Sequence, residues 1–131
     1  MSTVKITRPS PVHEDDRGII TDLINTAENP VYHIGMITFT KGAVRANHYH
    51  KVSEQYDYIL EGSIELVTKE TDHPDAEVQT VVMHPGDLAY IPANVIHAYR
   101  ALTPATIIDM TTRSREATGY EDDTVRAEPI L

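Results

Sequence analysis

The chain has 131 residues, 40% hydrophobic and 24% charged, with 20 acidic side chains against 11 basic ones and a formal net charge of −9. That length suits one core, so a single domain over residues 1–131 is expected, and the negative field argues against nucleic acid as a partner. The absence of cysteine excludes disulfides, thiolate metal sites and cysteine nucleophiles, and no apolar run approaches the roughly 18 residues of a membrane span.

From the N-terminus, MSTVKITRPS lacks the apolar stretch of a secretory signal, so a cytoplasmic location without a membrane partner is expected. EDDRGIITDL (14–23) sets Asp15 and Arg17 in a charged turn before Gly18 and the β-branched run GIITDLI. Asn29-Pro30 then breaks the chain ahead of VYHIGMITFT, and Lys41-Gly42 breaks it again. After NHYHKVSE come QYDYILEG, SIELVTK, VQTVVMH, DLAYIP, IHAYRAL and ATIIDMTT, separated by turns at Glu61-Gly62, His73-Pro74-Asp75, His84-Pro85-Gly86-Asp87, Pro92 and Thr103-Pro104. Short β-rich runs divided by turns predict an all-β sandwich or barrel with almost no helix. The polar tail, 113–131, is either a cover strand with a short turn or a partly disordered end.

Of 7 histidines, His48 and His50 stand apart because one residue separates them. Side chains two apart on a strand share a face, so this pair aims two imidazoles at one point. His13, His33, His73 and His84 have no such neighbour and read as ordinary satisfied or half-exposed residues. Downstream, PGDLAYIPANVIHAY brings a third histidine, His97, to the start of a strand, after a turn in which Asn94 suits a positive φ.

These two stretches resemble the paired motifs of the cupin superfamily. In the first, Gly42 precedes His48 and His50 by the family spacing, Gln55 stands where the family has Glu, and Gly62 closes the motif. In the second, Gly86, Pro92 and His97 fit, while Asn94 replaces a glycine and Ala101 an asparagine. The resemblance covers residues 42–101 and implies a jelly-roll barrel, the double-stranded β-helix. It implies a divalent metal held by His48, His50, His97 and Gln55. Zn, Ni, Fe, Mn, Cu and Co all suit such donors. It also implies a homodimer, which open β edges would favour. Family spacing selects Gln55 over Glu54, and strand alternation then turns Glu54 away from the metal.

Two narrower resemblances point to carbohydrate chemistry. Asp15, Arg17 and Gly18 resemble a signature of the dTDP-4-keto-6-deoxyhexose epimerases and ketoisomerases, and HYHKVSEQ resembles the ketoisomerase His-x-His-Lys with its following Gln. Those ketoisomerases work without metal through the paired histidines and generally lack a third one. The small cupin that opens unsaturated uronate rings uses three His and one Gln, with an aspartate on a late strand where Asp109 stands.

Such chemistry needs a polarised carbonyl or hydroxyl and a proton carrier within reach. Alternation puts Tyr99 on the face of His97 and Asp57 on that of Gln55, and it turns Arg100 outward. Asp57, Tyr99 and Asp109 are therefore the acid/base candidates, with Tyr49 behind them, and Arg45, Lys51 and Arg113 are the cations for an anionic small-molecule substrate. The reading is a metal-dependent sugar isomerase, epimerase or ring-opening enzyme. Its rivals are an iron- and oxygen-using dioxygenase and a non-catalytic sugar-binding cupin.

Overall fold

The computed structural model describes residues 3–25, 30–114, 116 and 118–131. Asn29 of the first turn, and Arg115 and Ala117 of the tail, lie outside the described residues. The chain runs through β1 (Lys5–Thr7), β2 (Pro11–Asp15), β3 (Gly18–Thr21), β4 (His33–Phe39), β5 (Val44–His50), β6 (Gln55–Glu61), β7 (Ile64–Glu70) and β8 (Gln79–Met83). It continues through β9 (Leu88–Ile91), β10 (Val95–Ala101), β11 (Ala105–Thr111), the five-residue helix α1 (Gly119–Asp123) and β12 (Thr124–Arg126). The fold is the expected jelly roll, and each predicted β-rich run contains a strand.

All pairings are antiparallel. One sheet has the order β1-β9-β6-β11-β4, the other β12-β5-β10-β7-β8, and β2-β3 forms a separate hairpin. The two five-stranded sheets bury a common core containing Phe39, Ile59, Ile64, Leu66, Met83, Ile91, Val95, Tyr99 and Ile107. Period-two burial explains how the strands supply it. Along β6, Gln55, Asp57 and Ile59 are buried while Leu60 and Glu61 are exposed, and on β10 Arg100 is exposed between buried Tyr99 and Ala101.

The turn signals have physical causes. Gly62 adopts φ 80°, and a Cβ there would stand 2.2 Å from the Pro104 carbonyl oxygen, so only glycine fits where the β6–β7 turn crosses the β10–β11 turn. Asn94 takes φ 65°, the left-handed conformation that its position in the second motif requires. Asp15 and Arg17 form the charged turn of the hairpin, with Arg17 Nη2 2.6 Å from Asp15 Oδ2 and the Arg17 amide on Oδ1. The tail resolves as the cover strand. Strand β12 pairs with β5, Thr124 opposite His50 and Arg126 opposite His48.

Candidate active site

The inward face changes character along the barrel. At one end it is apolar. At the other, His48 and His50 of β5, Gln55 and Asp57 of β6, His97 and Tyr99 of β10, and Asp109 of β11 are all buried together. His48, Gln55, His97, Tyr99 and Asp109 line a cavity of about 250 Å³ whose wall also includes Arg45. Glu54 faces the other way. It accepts the Tyr90 hydroxyl at 2.6 Å, and its amide donates to Thr112 Oγ1.

The three imidazoles converge. Ring centroids lie 4.9 Å apart for His48–His50, 4.8 Å for His48–His97 and 5.5 Å for His50–His97, and one ring nitrogen from each lies within 4.8 Å of the others. Nitrogens on one tetrahedral zinc at about 2.0–2.1 Å stand about 3.4 Å apart, so the trio would draw in by on the order of 1 Å to share an ion. His97 Nδ1 donates to the Val95 carbonyl at 3.1 Å, which fixes the tautomer and leaves Nε2 as the lone-pair nitrogen. That Nε2 is buried and has no hydrogen-bond partner. Burial, followed by the charge of His48, pushes the His97 pKa down to about 3, so the ring is neutral. The donor set thus fits a divalent transition metal.

His50 is held from behind by residues that the sequence reading did not single out. Its Nδ1 lies 3.2 Å from Thr124 Oγ1 and 3.6 Å from Asp123 Oδ2. Asp123 is buried at the end of α1, where its carboxylate accepts the backbone amides of Val52 and Ser53 and its carbonyl accepts that of Lys51. Tyr120, one helical turn earlier, sets its ring 6.3 Å from His48 and 6.2 Å from His50. No periodicity in GYEDDTV announces either residue. The only local sign is an acidic tail that also carries a tyrosine and a β-branched pair.

Asp57 and Asp109 are direct cross-strand neighbours on β6 and β11. Asp57 Oδ2 accepts both the Gln55 amide nitrogen at 2.7 Å and the Tyr99 hydroxyl at 2.5 Å. Its Oδ1 is buried without a donor, which leaves a proton shared with Asp109 as the natural occupant. Burial first, then the Asp109 charge and a hydrogen bond with Asp109, hold the Asp57 carboxyl well above the usual range, against the opposing pull of Tyr99 and Gln55. Tyr99 is likewise pushed up, first by burial and then by Asp57, so its hydroxyl keeps its proton and donates.

The cations are spread out. Arg45 lies on the cavity wall, and Arg113 lines a narrow cleft with His50, Tyr120 and Asp123. Lys51 is exposed at the β5–β6 turn, and Tyr49 is half-buried between His48 and His50. Among the remaining histidines, His13 pairs with Asp15 and His73 with Asp72, while His33 Nδ1 lies 4.0 Å from Asp109 Oδ2.

The family profile of the cupin domain matches residues 35–111, which span the three converging histidines, Gln55 and the Asp57–Tyr99–Asp109 group, while His33, Arg113, Tyr120, Asp123 and Thr124 lie outside it. This chain belongs to the cupin family. The cupin is 33% identical over 112 residues to the spore coat polysaccharide biosynthesis protein SpsL of Bacillus subtilis, covering 78% of this chain and 74% of that one. Its fold is that of RmlC-like enzymes. It superposes on QdtA, a sugar 3,4-ketoisomerase from Thermoanaerobacterium thermosaccharolyticum in complex with TDP, with TM-score 0.74 and 21% identity over 94% of this chain and 87% of that one. For the dTDP-6-deoxy-D-glucose-3,5-epimerase RmlC of Legionella pneumophila the values are 0.78 and 15%, over 97% and 73%. Among the described residues no helix of this cupin is long and apolar enough to cross a membrane.

Proposed function

We propose that this cupin moves a proton on the keto-sugar of a sugar nucleotide, by epimerisation or ketoisomerisation, with a divalent transition metal held by His48, His50, His97 and Gln55. One observation carries this reading: three converging imidazoles and a Tyr99–Asp57–Asp109 acid/base group share the polar end of one barrel. The sugar-biosynthetic relative SpsL and the sugar-nucleotide enzymes of the same fold support it.

When bound, the ion supplies Lewis-acid polarisation of a carbonyl or hydroxyl oxygen. Asp109, on the cavity wall, is the base for the carbon beside the carbonyl, and the C–H electron pair moves onto the oxygen as the enolate forms. Tyr99 keeps its proton and donates a hydrogen bond to Asp57 Oδ2, which holds the hydroxyl oxygen at the cavity wall. Reprotonation of the same carbon from the opposite face, by water entering the cavity, inverts it. Reprotonation of the former carbonyl carbon by Asp109, with the proton of the neighbouring hydroxyl passing to the first oxygen, moves the carbonyl. Arg45 at the wall, with Arg113 and Lys51 further out, draws the anionic nucleotide.

A second reading rests on His50. Its Nδ1 faces Asp123, the arrangement that orients an imidazole for acid/base work without metal. Incubation with TDP-4-keto-6-deoxyglucose in D2O separates the two. Deuterium should enter beside the carbonyl, stop after chelation and resume with added metal, and His97→Ala should lose most of its bound metal by elemental analysis. Exchange that persists after chelation favours the His50–Asp123 reading. Neither exchange nor an epimerised or isomerised product in either state rejects proton transfer on this substrate.

The cupin is further proposed to work as a homodimer. Tyr32 beside β4, and Ile34 and Met36 on it, are 68%, 68% and 65% exposed at the edge of a sheet. The hairpin adds Val12, Ile19 and Ile20, all exposed, and a lone hairpin is marginal without something to pack on. Light scattering should give twice the chain mass, and a monomer at high concentration would refute the dimer.

A further inference from the structure

Strand β5 departs from strict alternation just before its histidines. Counted back from His48, an ideal strand turns Arg45 away from the barrel interior. In the pairing with β10, however, His48 stands opposite His97 while Ala46 stands opposite Ala98, so Asn47 is an extra residue in β5. Ala46 and Asn47 both take left-handed backbone, φ 78° and 61°. This bulge shifts the parity of the strand and sets Arg45 opposite Tyr99, an inward residue. The Arg45 guanidinium consequently reaches the cavity wall, 5.4 Å from the centre of the Phe39 ring, with Nη2 donating to the Thr38 carbonyl at 3.3 Å.

A left-handed alanine is strained, so the bulge needs something to hold it. The C-terminal segment does so at Asn47. The Ala127 amide donates to the Asn47 carbonyl at 3.0 Å, and the Ile130 amide donates to Asn47 Oδ1 at 2.9 Å. The side-chain bond spans 83 residues of sequence. Asparagine meets both requirements at once: it tolerates positive φ, and it offers an acceptor where the tail presents a donor.

We propose that Asn47 is a positioning residue, clamped by residues 127–130, which fixes the bulge that delivers Arg45 to the cavity to anchor the phosphate-bearing part of the ligand. The ligand class rests on the sugar-nucleotide reading above; the clamp itself does not.

The test uses thymidine 5′-diphosphate as the probe, measured by calorimetry, together with the NMR resonance of the Arg45 Nε–H group, which the Phe39 ring displaces while the two are stacked. Arg45→Ala should weaken binding by about tenfold or more, the scale of a lost charge-assisted bond. Asn47→Gly keeps the backbone freedom and the Ala127 bond but loses the side-chain half of the clamp, and Ile130→Pro removes the donor to that side chain without touching β5. Each should weaken binding by about three- to tenfold and return the Arg45 resonance toward its free value. Asn47→Asp keeps an acceptor and should stay within about twofold of wild type. If Arg45→Ala weakens binding while Asn47→Gly and Ile130→Pro leave both affinity and resonance unchanged, the clamp positions nothing and the proposal fails. If Arg45→Ala binds the nucleotide as tightly as wild type does, Arg45 is not the anchor and the proposal fails. If the wild type does not bind the nucleotide, the sugar-nucleotide reading fails instead. The resonance alone then decides the clamp: displacement in both variants sustains it, and an unmoved signal overturns it. Because Ile130→Pro leaves the bulge sequence intact, a folding defect in Asn47→Gly does not remove the test.

Discussion

The two ends of the barrel are built from the same strands and differ in what those strands carry inward. Strand β6 presents Gln55 and Asp57 at one end and Ile59 at the other. Strand β11 presents Asp109 and Thr111, then Ala105 and Ile107, and β10 presents His97 and Tyr99, then Ala101. Alternation decides which side chains enter the barrel, and position along the strand decides whether that interior is a core or a site. At the apolar end the inward side chains contribute through burial. At the polar end each buried group depends on a specific partner, because an unpaired polar group away from water is costly.

The largest expected effect comes from breaking the apolar end. Ile64→Ala, opposite Ala101, should destabilise the fold by about 2–5 kcal/mol through lost burial and the cavity left behind. Urea unfolding measures it, and a loss under about 1 kcal/mol would mean that this end is loosely packed. Asp57→Asn at the polar end should act in the opposite direction. The folded state raises the Asp57 pKa above the ordinary 3.8, so the folded protein keeps a proton that the unfolded chain releases as pH rises past that value. Wild-type stability is therefore drained between 3.8 and the raised folded value, and the asparagine amide, which always carries hydrogens, escapes that loss. The variant should match wild type at pH 3 and exceed it in stability at pH 7, the gap widening as pH rises. A constant difference across that range would show that Asp57 does not hold the proton.

The smallest effect should come from the outer neighbour of the site. Glu54→Ala loses the Tyr90 hydroxyl bond, worth about 1 kcal/mol, and should leave metal content unchanged, whereas Gln55→Ala should lower it. If the two results are exchanged, Glu54 is the ligand and the inward register of β6 is misassigned.

Much of this comparison was legible before any coordinates. The β-rich runs, the turn glycines, the shared face of His48 and His50, and the inward partners Tyr99 and Asp57 all follow from a period of two and from chain punctuation. The parts that were not legible depend on tertiary contacts. Nothing local in RANHYH says that Ala46 takes a positive φ, so the parity change that turns Arg45 inward was hidden. The Asp123 carboxylate looks like one more acidic residue in an acidic tail until its neighbours Val52 and Ser53 are in place. His33 read as an ordinary histidine, and its approach to Asp109 depends on Gly35, where a Cβ would meet the imidazole at 3.1 Å.

The pairing of β12 with β5 also bears on how the molecule assembles. The Thr124–His50 contact joins residues 74 positions apart, and closing so long a loop before any reward is gained makes such pairings slow. Strand β5 can dock on β10 through a shorter detour, which leaves its outer edge open in the meantime. During refolding the barrel should therefore form first, with the histidines still facing water on one side, and ring contacts from Tyr120 should appear in a later kinetic phase.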